Sequence, residues 1–290
     1  MIAPAGVKAA TTDLVLQAPA IGAADIAKIA ELADAQGIRV LDGGMQQAFR
    51  LLRANPHAGV ALLCAKAGID SAFVPSDLKR DRVRVVAMDM DSTLITIECI
   101  DEIADIVGIK PEVAAITASA MRGEIDFSES LARRVALLAG LPVTALERVY
   151  VERLELSPGA ERLLAGFKAV GAKTLLVSGG FTFFTDRLKA RLDFDETASN
   201  TLEIANGKLT GRVLPPVLDG ETKAARLSAM RQRHAPEGGI VIAIGDGAND
   251  LPMLGAADIS IAYHAKPLVR AQATHAIDRC GLDAVLNLFA

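Results

Sequence analysis

The stretch Val83-Arg84-Val85-Val86-Ala87-Met88-Asp89-Met90-Asp91-Ser92-Thr93 constrains this chain more than any other. A short apolar run rich in β-branched valine ends abruptly in two carboxylates one residue apart. Strand side chains repeat with a period of two, so Asp89 and Asp91 are expected to leave the strand end on the same side. Two such carboxylates repel each other unless a cation or a proton lies between them. Ser92 and Thr93 add hydroxyls suited to a turn or a phosphate contact. An isolated Asp-x-Asp more often marks an acidic surface turn, so the remainder of the chain has to discriminate.

Downstream, the pattern repeats. Lys173–Val177 is an apolar strand that stops at Ser178-Gly179-Gly180, followed by a helix over Phe181–Leu192. Thr197–Ile204 and Lys208–Val213 flank Asn206-Gly207, a hairpin signal. Glu221–His234 reads as a helix with Lys223 in its first turn. Ile240–Ile244 is wholly apolar and stops at Gly245-Asp246-Gly247-Ala248-Asn249-Asp250, and Asp258–Ala262 reads as the last strand. Apolar strands alternating with helices predict a parallel sheet covered on both faces, with ligands bound outside the carboxyl ends of its strands. Such a sheet gathers the three chemically rich strand ends on one edge.

Two further blocks complete the chain. Glu98–Val107, Pro111–Met121, Phe127–Leu138 and Val143–Glu155 each read as an amphipathic helix, and Asp126 begins a capping-box-like start with Glu129. This block, about 98–156, is expected to stand over the C-terminal end of the first strand as an insertion. Residues 1 to about 80 form a small α/β unit with no catalytic cluster. Its expected elements are a loose terminus over 1–10, strands at Thr12–Gln17, Ile38–Leu41 and Gly59–Cys64, and helices at Ala23–Gln36 and Met45–Arg53. His57 reads as an exposed loop residue, and the charged run Lys79–Arg84 marks the boundary.

With 290 residues, 51% of them hydrophobic, the chain is long enough to bury a sizeable core. A net charge of −4 without a basic block, and an aromatic content of only 4%, argue against nucleic acid as a partner. Cys64, Cys99 and Cys280 are odd in number and lack metal-ligand spacing, which fits a reducing compartment, and Cys99 reads as a packing residue. A signal peptide and a transmembrane run are both lacking in the pattern. A cytoplasmic protein without membrane or nucleic-acid partners is the expectation.

Several carboxylates, a glycine-flanked serine and a lysine form a set with particular chemistry. Hard oxygen donors suit Mg²⁺, backbone amides after Ser178 can cradle phosphate, and Lys223 can place a positive charge beside either. One carboxylate can attack phosphorus while another moves the proton. Asp89-Met90-Asp91-Ser92-Thr93, Ser178, Lys223 and Gly245–Asp250 resemble, in order, the four motifs of the haloacid dehalogenase superfamily of phosphatases. The helical block is similar to that superfamily's small cap. The DMDST form and the stretch Met121–Arg134 resemble the phosphoserine phosphatases within it.

The resemblance implies an α/β fold with a Rossmann-like parallel-sheet core over 81–290, the cap at about 98–156, and an ACT-like regulatory or dimerisation unit over 1–80. It implies Mg²⁺-dependent hydrolysis of O-phospho-L-serine to L-serine and phosphate through an aspartyl-phosphate, the last step of serine biosynthesis. Asp89 would be the nucleophile and Asp91 the general acid/base. Asp89, the main-chain carbonyl of Asp91, and Asp246 would hold Mg²⁺. Glu98 would meet the substrate ammonium and Arg134 its carboxylate. Ser178, Gly179 and Lys223 would bind phosphate, with Asn249 near the reacting group and Asp250 behind it. Read without the family, Arg134 is a solvated helix face, Glu98 favours a helix dipole and Lys223 is a surface lysine. Another small phosphoester such as phosphohomoserine is the alternative substrate. A non-catalytic amino-acid-binding regulator is the alternative role, although Asp89, Asp91, Lys223 and Asp246 are all intact. A homodimer is the expected candidate assembly.

Overall fold

A computed structural model describes residues 11–289, so the terminus expected over 1–10 lies outside the described residues. The N-terminal unit runs β1 (Thr12–Ala18), α1 (Ala23–Leu32), β2 (Gly37–Leu41), β3 (Gln47–Leu52), α2 (Ala58–Ala67) and β4 (Asp70–Pro75). Its sheet is antiparallel along β3-β1-β4 with β2 outside β3, giving the order β2-β3-β1-β4 of a split βαβ sandwich.

Two expectations in this unit are overturned. The segment Met45–Arg53, read as a helix, contains strand β3, and Gly59–Cys64, read as a strand, lies inside helix α2. Arg50 misleads the pattern because it is buried: its guanidinium meets Asp13 Oδ2 at 3.4 Å and donates to the carbonyl of Asn287 at 3.1 Å. The run Gly59–Cys64 is apolar on all sides, which periodicity alone cannot assign. Its ends do assign it, because the His57 ring accepts from the Gly59 N–H and Gly68 closes the helix in the left-handed region. His57 itself is exposed, as expected.

The catalytic-type core begins at β5 (Val83–Met88). The cap follows as α3 (Cys99–Ile106), α4 (Lys110–Met121), α5 (Phe127–Ala136) and α6 (Thr144–Glu152). The core resumes with α7 (Ala160–Lys168), β6 (Lys173–Phe181), α8 (Thr182–Leu192), β7 (Glu196–Ala205), β8 (Lys208–Leu214) and α9 (Gly220–His234). It closes with β9 (Ile240–Gly245), α10 (Leu251–Gly255), β10 (Ile259–Tyr263), α11 (Pro267–Gln272) and β11 (His275–Ile277). A strand beyond Ala262 was not anticipated, because three residues carry too little periodicity.

The sheet order is β11-β10-β9-β5-β6-β7-β8, parallel except for the terminal β7–β8 hairpin. β9, β5 and β6 are therefore adjacent at the centre, and their carboxyl ends share one edge. Val83, Val86 and Met88 point into one apolar layer and Val85 and Ala87 into the other, all fully buried.

The N-terminal unit packs on this core. Val15, Ala72 and Val74 of its sheet belong to the same apolar cluster as Val86 and Met88. Asp70, 6% exposed, accepts from the backbone N–H groups of Asp278, Arg279 and Cys280 at 3.0, 2.9 and 3.1 Å. Asn287 donates to Gln17 at 3.0 Å. Asp70→Ala leaves three backbone N–H groups without this acceptor, that of Cys280 buried, and is expected to lower the unfolding free energy by about 1–3 kcal/mol. Urea denaturation checks this, and an unchanged midpoint would show that the turn at 278–280 is held by other contacts.

Candidate active site

β5 ends at Met88, and Asp89 caps a single wide turn through Leu94 in which Ser92 adopts φ +55°. Asp89 and Asp91 do reach one site, but this turn brings them there rather than the pleat of the strand. Asp89 is 5% exposed, and its Oδ1 accepts from Met90 N–H at 2.7 Å and pairs with Lys223 Nζ at 2.9 Å. Both contacts fall on Oδ1, so Oδ2 remains the freer oxygen. Asp91 Oδ1 accepts from Cys99 N–H at 2.8 Å, which explains the burial of Cys99 at the start of α3. Its Oδ2 lies 3.4 Å from the hydroxyl of Ser178.

The other strand ends complete the cluster. Ser178 sits within β6, which runs on through Gly179 and Gly180 instead of stopping at Val177. The Ser178 hydroxyl accepts from Gly180 N–H at 2.8 Å. A Cβ on Gly180 would come within 2.6 Å of Asp91 Oδ2, and one on Gly179 within 2.9 Å of the Phe127 ring. Cap helix α5 therefore rests directly on the glycine loop. After β9, the Asp246 carboxylate accepts from Thr93 Oγ1 at 3.1 Å. Asn249 is half-buried in the same loop.

Lys223 is not the surface lysine its sequence suggests. It is 1% exposed and spans Asp89 and Asp250, the latter at 2.7 Å. Burial alone would push its ammonium down, but the carboxylates of Asp250 and Asp89 outweigh that and hold it above the ordinary lysine range. Asp250 uses both oxygens: Oδ1 takes Lys223, and Oδ2 takes Asp246 N–H at 3.2 Å and Gly247 N–H at 3.0 Å. It orients Lys223 and the loop.

Asp89, Asp246 and Asp250 can bring one carboxylate oxygen each within 4.8 Å of the others. Burial and the charge of Asp250 push the Asp89 carboxyl well up and the Asp246 carboxyl to about 6. Burial likewise raises Asp91, against the pull of the Cys99 N–H. One buried ammonium does not balance these acids, and the donors are hard oxygens, so the cluster fits a divalent cation. Both oxygens of Asp250 are engaged by Lys223 and the loop amides, whereas Asp89 Oδ2 has no hydrogen bond among the described residues, so Asp89 and Asp246 are the better placed to hold it.

Cap residues extend the site. Glu98 keeps an open face to solvent, yet the cleft walls strip much of its hydration and Asp91 adds repulsion, pushing its carboxyl up to about 7. Its Oε1 accepts from the Ser92 hydroxyl at 2.7 Å. Arg134 is half-buried, its Nε donates to the carbonyl of Ser130 at 3.3 Å, and burial lowers its pKa against the pull of Asp101, Glu98 and Asp91. It thus lies in the field of the cleft acids, unlike a solvated helix face.

A family model described as haloacid dehalogenase-like hydrolase matches residues 86–255. The chain belongs to this family. A second model, for a domain of unknown function, matches residues 14–60. The phosphoserine phosphatase of Polaromonas sp. (strain JS666) is 54% identical over 217 residues, 73% of this chain and 92% of that protein. The phosphoserine phosphatase of Albidiferax ferrireducens is 51% identical over 228 residues, 76% of this chain and 95% of that protein. Among solved structures, a probable phosphoserine phosphatase from Vibrio cholerae is similar with a TM-score of 0.81 at 37% identity, covering 95% of this chain and 85% of that one. A substrate-bound phosphoserine phosphatase complex is similar with a TM-score of 0.66 at 34% identity, covering 72% of this chain and all but 1% of the other.

Sequence reasoning missed one residue that shapes this haloacid dehalogenase-like site. Asn200 on β7 is fully buried, donates to the carbonyl of Gly179 at 2.8 Å and accepts from Leu218 N–H at 2.7 Å. It ties the glycine loop to the segment that leads into α9 and Lys223. Asn200 is one of five polar residues in the strand Thr197–Ile204, and nothing in the sequence sets it apart from its solvent-facing neighbours.

Proposed function

We propose that the chain is a cytoplasmic, Mg²⁺-dependent phosphoserine phosphatase that hydrolyses O-phospho-L-serine to L-serine and phosphate, closing serine biosynthesis. The observation that carries this reading is the state of Asp89: both of its short contacts fall on Oδ1, while Oδ2 stays unbonded among the described residues, and Asp91 lies near enough to raise its carboxyl. That is the arrangement of a positioned nucleophile with a proton carrier at hand.

In this reading Oδ2 of Asp89 attacks phosphorus, the P–O bond to serine breaks, and an aspartyl-phosphate forms. Asp91, whose carboxyl is raised by burial, holds the proton that the departing serine alkoxide needs. Asp91 then takes a proton from the water that attacks the aspartyl-phosphate, which frees phosphate and restores Asp89. Lys223 fixes Asp89 and offsets phosphoryl charge, while the Ser178 hydroxyl and the Gly179 N–H contact phosphate oxygens. Asp89, the Asp91 carbonyl and Asp246 would hold Mg²⁺, which would supply charge neutralisation at the phosphoryl group. Asn249 borders the same oxygens.

Specificity is assigned to the cap. Glu98 receives the substrate ammonium and Arg134 its carboxylate, a bidentate match of fork to carboxylate. Phe127 over Gly179 closes the pocket above the phosphate loop and keeps bulk water from the phosphoenzyme. The N-terminal unit is assigned an ACT-like role, and its exposed edge strand β2, with Ile38 53% and Val40 73% exposed, is the candidate face of a homodimer.

Phosphate release from phosphoserine, phosphothreonine, glycerol phosphate and a sugar phosphate, with and without a chelator, tests the proposal. Phosphoserine is expected to be preferred, chelation to abolish turnover, and Mg²⁺ to restore it. No preference would remove the substrate assignment. Arg134→Ala is expected to lower kcat/KM for phosphoserine by about 100-fold, and for glycerol phosphate by less than about threefold. Equal losses on both would make Arg134 a structural residue of the cap.

A further inference from the structure

A cleft of about 580 Å³ borders the acid cluster at Ser92, where three parts of the molecule meet. Pro19 and Met45 line it from the N-terminal unit, Thr96 and Ser157 from the base of the cap, and Tyr263 and Arg279 from the far side of the core sheet. None of the proposed catalytic or phosphate-binding residues lines it.

Its position relative to the cap is specific. The chain leaves for the cap through Ile95 and Thr96 and returns through Glu155 to Ser157. These segments pair, with Thr96 N–H donating to the carbonyl of Glu155 at 3.0 Å and Ser157 N–H to that of Leu94 at 2.9 Å. The pair is the hinge on which any cap motion must turn, and two of its residues form one wall of the cavity. Ser92 lines the same cavity, and its hydroxyl holds Glu98 at 2.7 Å.

The opposite wall is fixed. The turn between β2 and β3 is clamped to the core: Gln46 donates to Asp283 at 3.1 Å, and Arg162 bonds Asp283 at 3.0 Å and the carbonyl of Asp42 at 2.9 Å. The space is thus a solvent-open cleft bounded by anchored segments, with Met45 and Arg279 at its exposed rim.

The lining also selects a chemistry. Pro19, Met45 and Tyr263 offer apolar or aromatic surface, while Thr96 and Ser157 offer hydroxyls. Asp283 lines the cavity too, but both of its oxygens are already bonded by Gln46 and Arg162. Arg279 makes no ion pair among the described residues, and its backbone is pinned by the Asp70 carboxylate at 2.9 Å. His264 also lines the cleft, its Nε2 held at 3.1 Å from the carbonyl of Cys280. The exposed Arg279 guanidinium is therefore the cationic group without a side-chain partner among the described residues. Apolar walls, hydroxyls and that guanidinium are complementary to a short apolar body bearing a carboxylate.

We propose that this cavity binds a small organic carboxylate and that its occupant restrains the cap hinge. The occupant bridges the clamped N-terminal turn and the hinge segments, so it holds the hinge still and slows turnover wherever cap opening limits release. Binding stands independently of the phosphatase reading, whereas the effect on turnover rests on it.

The test uses the full chain and a panel of probes: butanoate, 4-methylpentanoate and phenylacetate, each beside its neutral amide. Calorimetry in saturating inorganic phosphate, which occupies the phosphate site, is expected to show one saturable site for at least one acid and none for its amide. Arg279→Ala is expected to weaken that binding about tenfold or more and Arg279→Lys to retain most of it, with basal turnover unchanged in both. The binding acid is expected to lower kcat about threefold or more in the wild type and not in Arg279→Ala. Absence of saturable binding across the panel, equal binding of acid and amide, or loss of binding on adding phosphate would overturn the site. Saturable binding without any change in kcat would overturn the hinge restraint while leaving the phosphatase assignment intact.

Discussion

Asp89→Asn is expected to lower kcat for phosphoserine by about 10⁴-fold or more while leaving the protein folded. The amide is nearly isosteric but cannot attack phosphorus through a carboxylate oxygen, so no aspartyl-phosphate forms. Stability moves the other way or not at all. Burial and the charge of Asp250 already push the Asp89 carboxyl well up, so the ionised form is disfavoured where it sits, and a neutral amide relieves that repulsion. It can still accept from Met90 N–H and Lys223. Two measurements check this together: steady-state phosphate release, and intact-protein mass after rapid quenching with phosphoserine. A phosphorylated adduct or near-normal turnover in Asp89→Asn would reassign the nucleophile.

The second large effect is on stability as well as rate. Lys223 is 1% exposed and, among the described residues, is the one ammonium bonded to both Asp89 and Asp250. Lys223→Met keeps the volume but leaves two buried carboxylates facing each other, and is expected to destabilise by about 3–5 kcal/mol. Turnover should be lost as well, since Asp89 is then no longer fixed through Oδ1. Removing one of the stranded charges should recover part of the loss. The double variant Lys223→Met with Asp250→Asn is therefore expected to be more stable than the sum of the single changes implies, with a coupling of about 1 kcal/mol or more. Additive unfolding free energies in urea would mean that Lys223 and Asp250 do not act as a pair.

These outcomes show how far the sequence could be read. The strand ending at Met88, the wholly apolar Ile240–Ile244 and the Ser-Gly-Gly that follows Val177 were each legible, because a buried parallel strand needs a continuous apolar run. The helical cap was legible from amphipathic spacing and from Asp126, which accepts from Glu129 N–H as an N-cap. The N-terminal unit was misread at two adjacent elements. Arg50 is buried through a partner 37 residues away, Asp13, and no local pattern reveals that.

Residue types and their order along the chain determined the class of fold, the edge on which the site forms and the residues able to do chemistry there, since strand and helix periods and capping act within a few residues. Tertiary structure alone decided how those residues share their oxygens. It engaged both oxygens of Asp250 and left Oδ2 of Asp89 free, buried Lys223 between two acids, laid Phe127 on Gly179, and formed a cleft between the N-terminal unit and the cap hinge. Apart from the local amides on Asp89 and Asp250, those outcomes depend on which atoms meet across tens to hundreds of residues, and that is fixed by packing and register, which local sequence patterns do not encode.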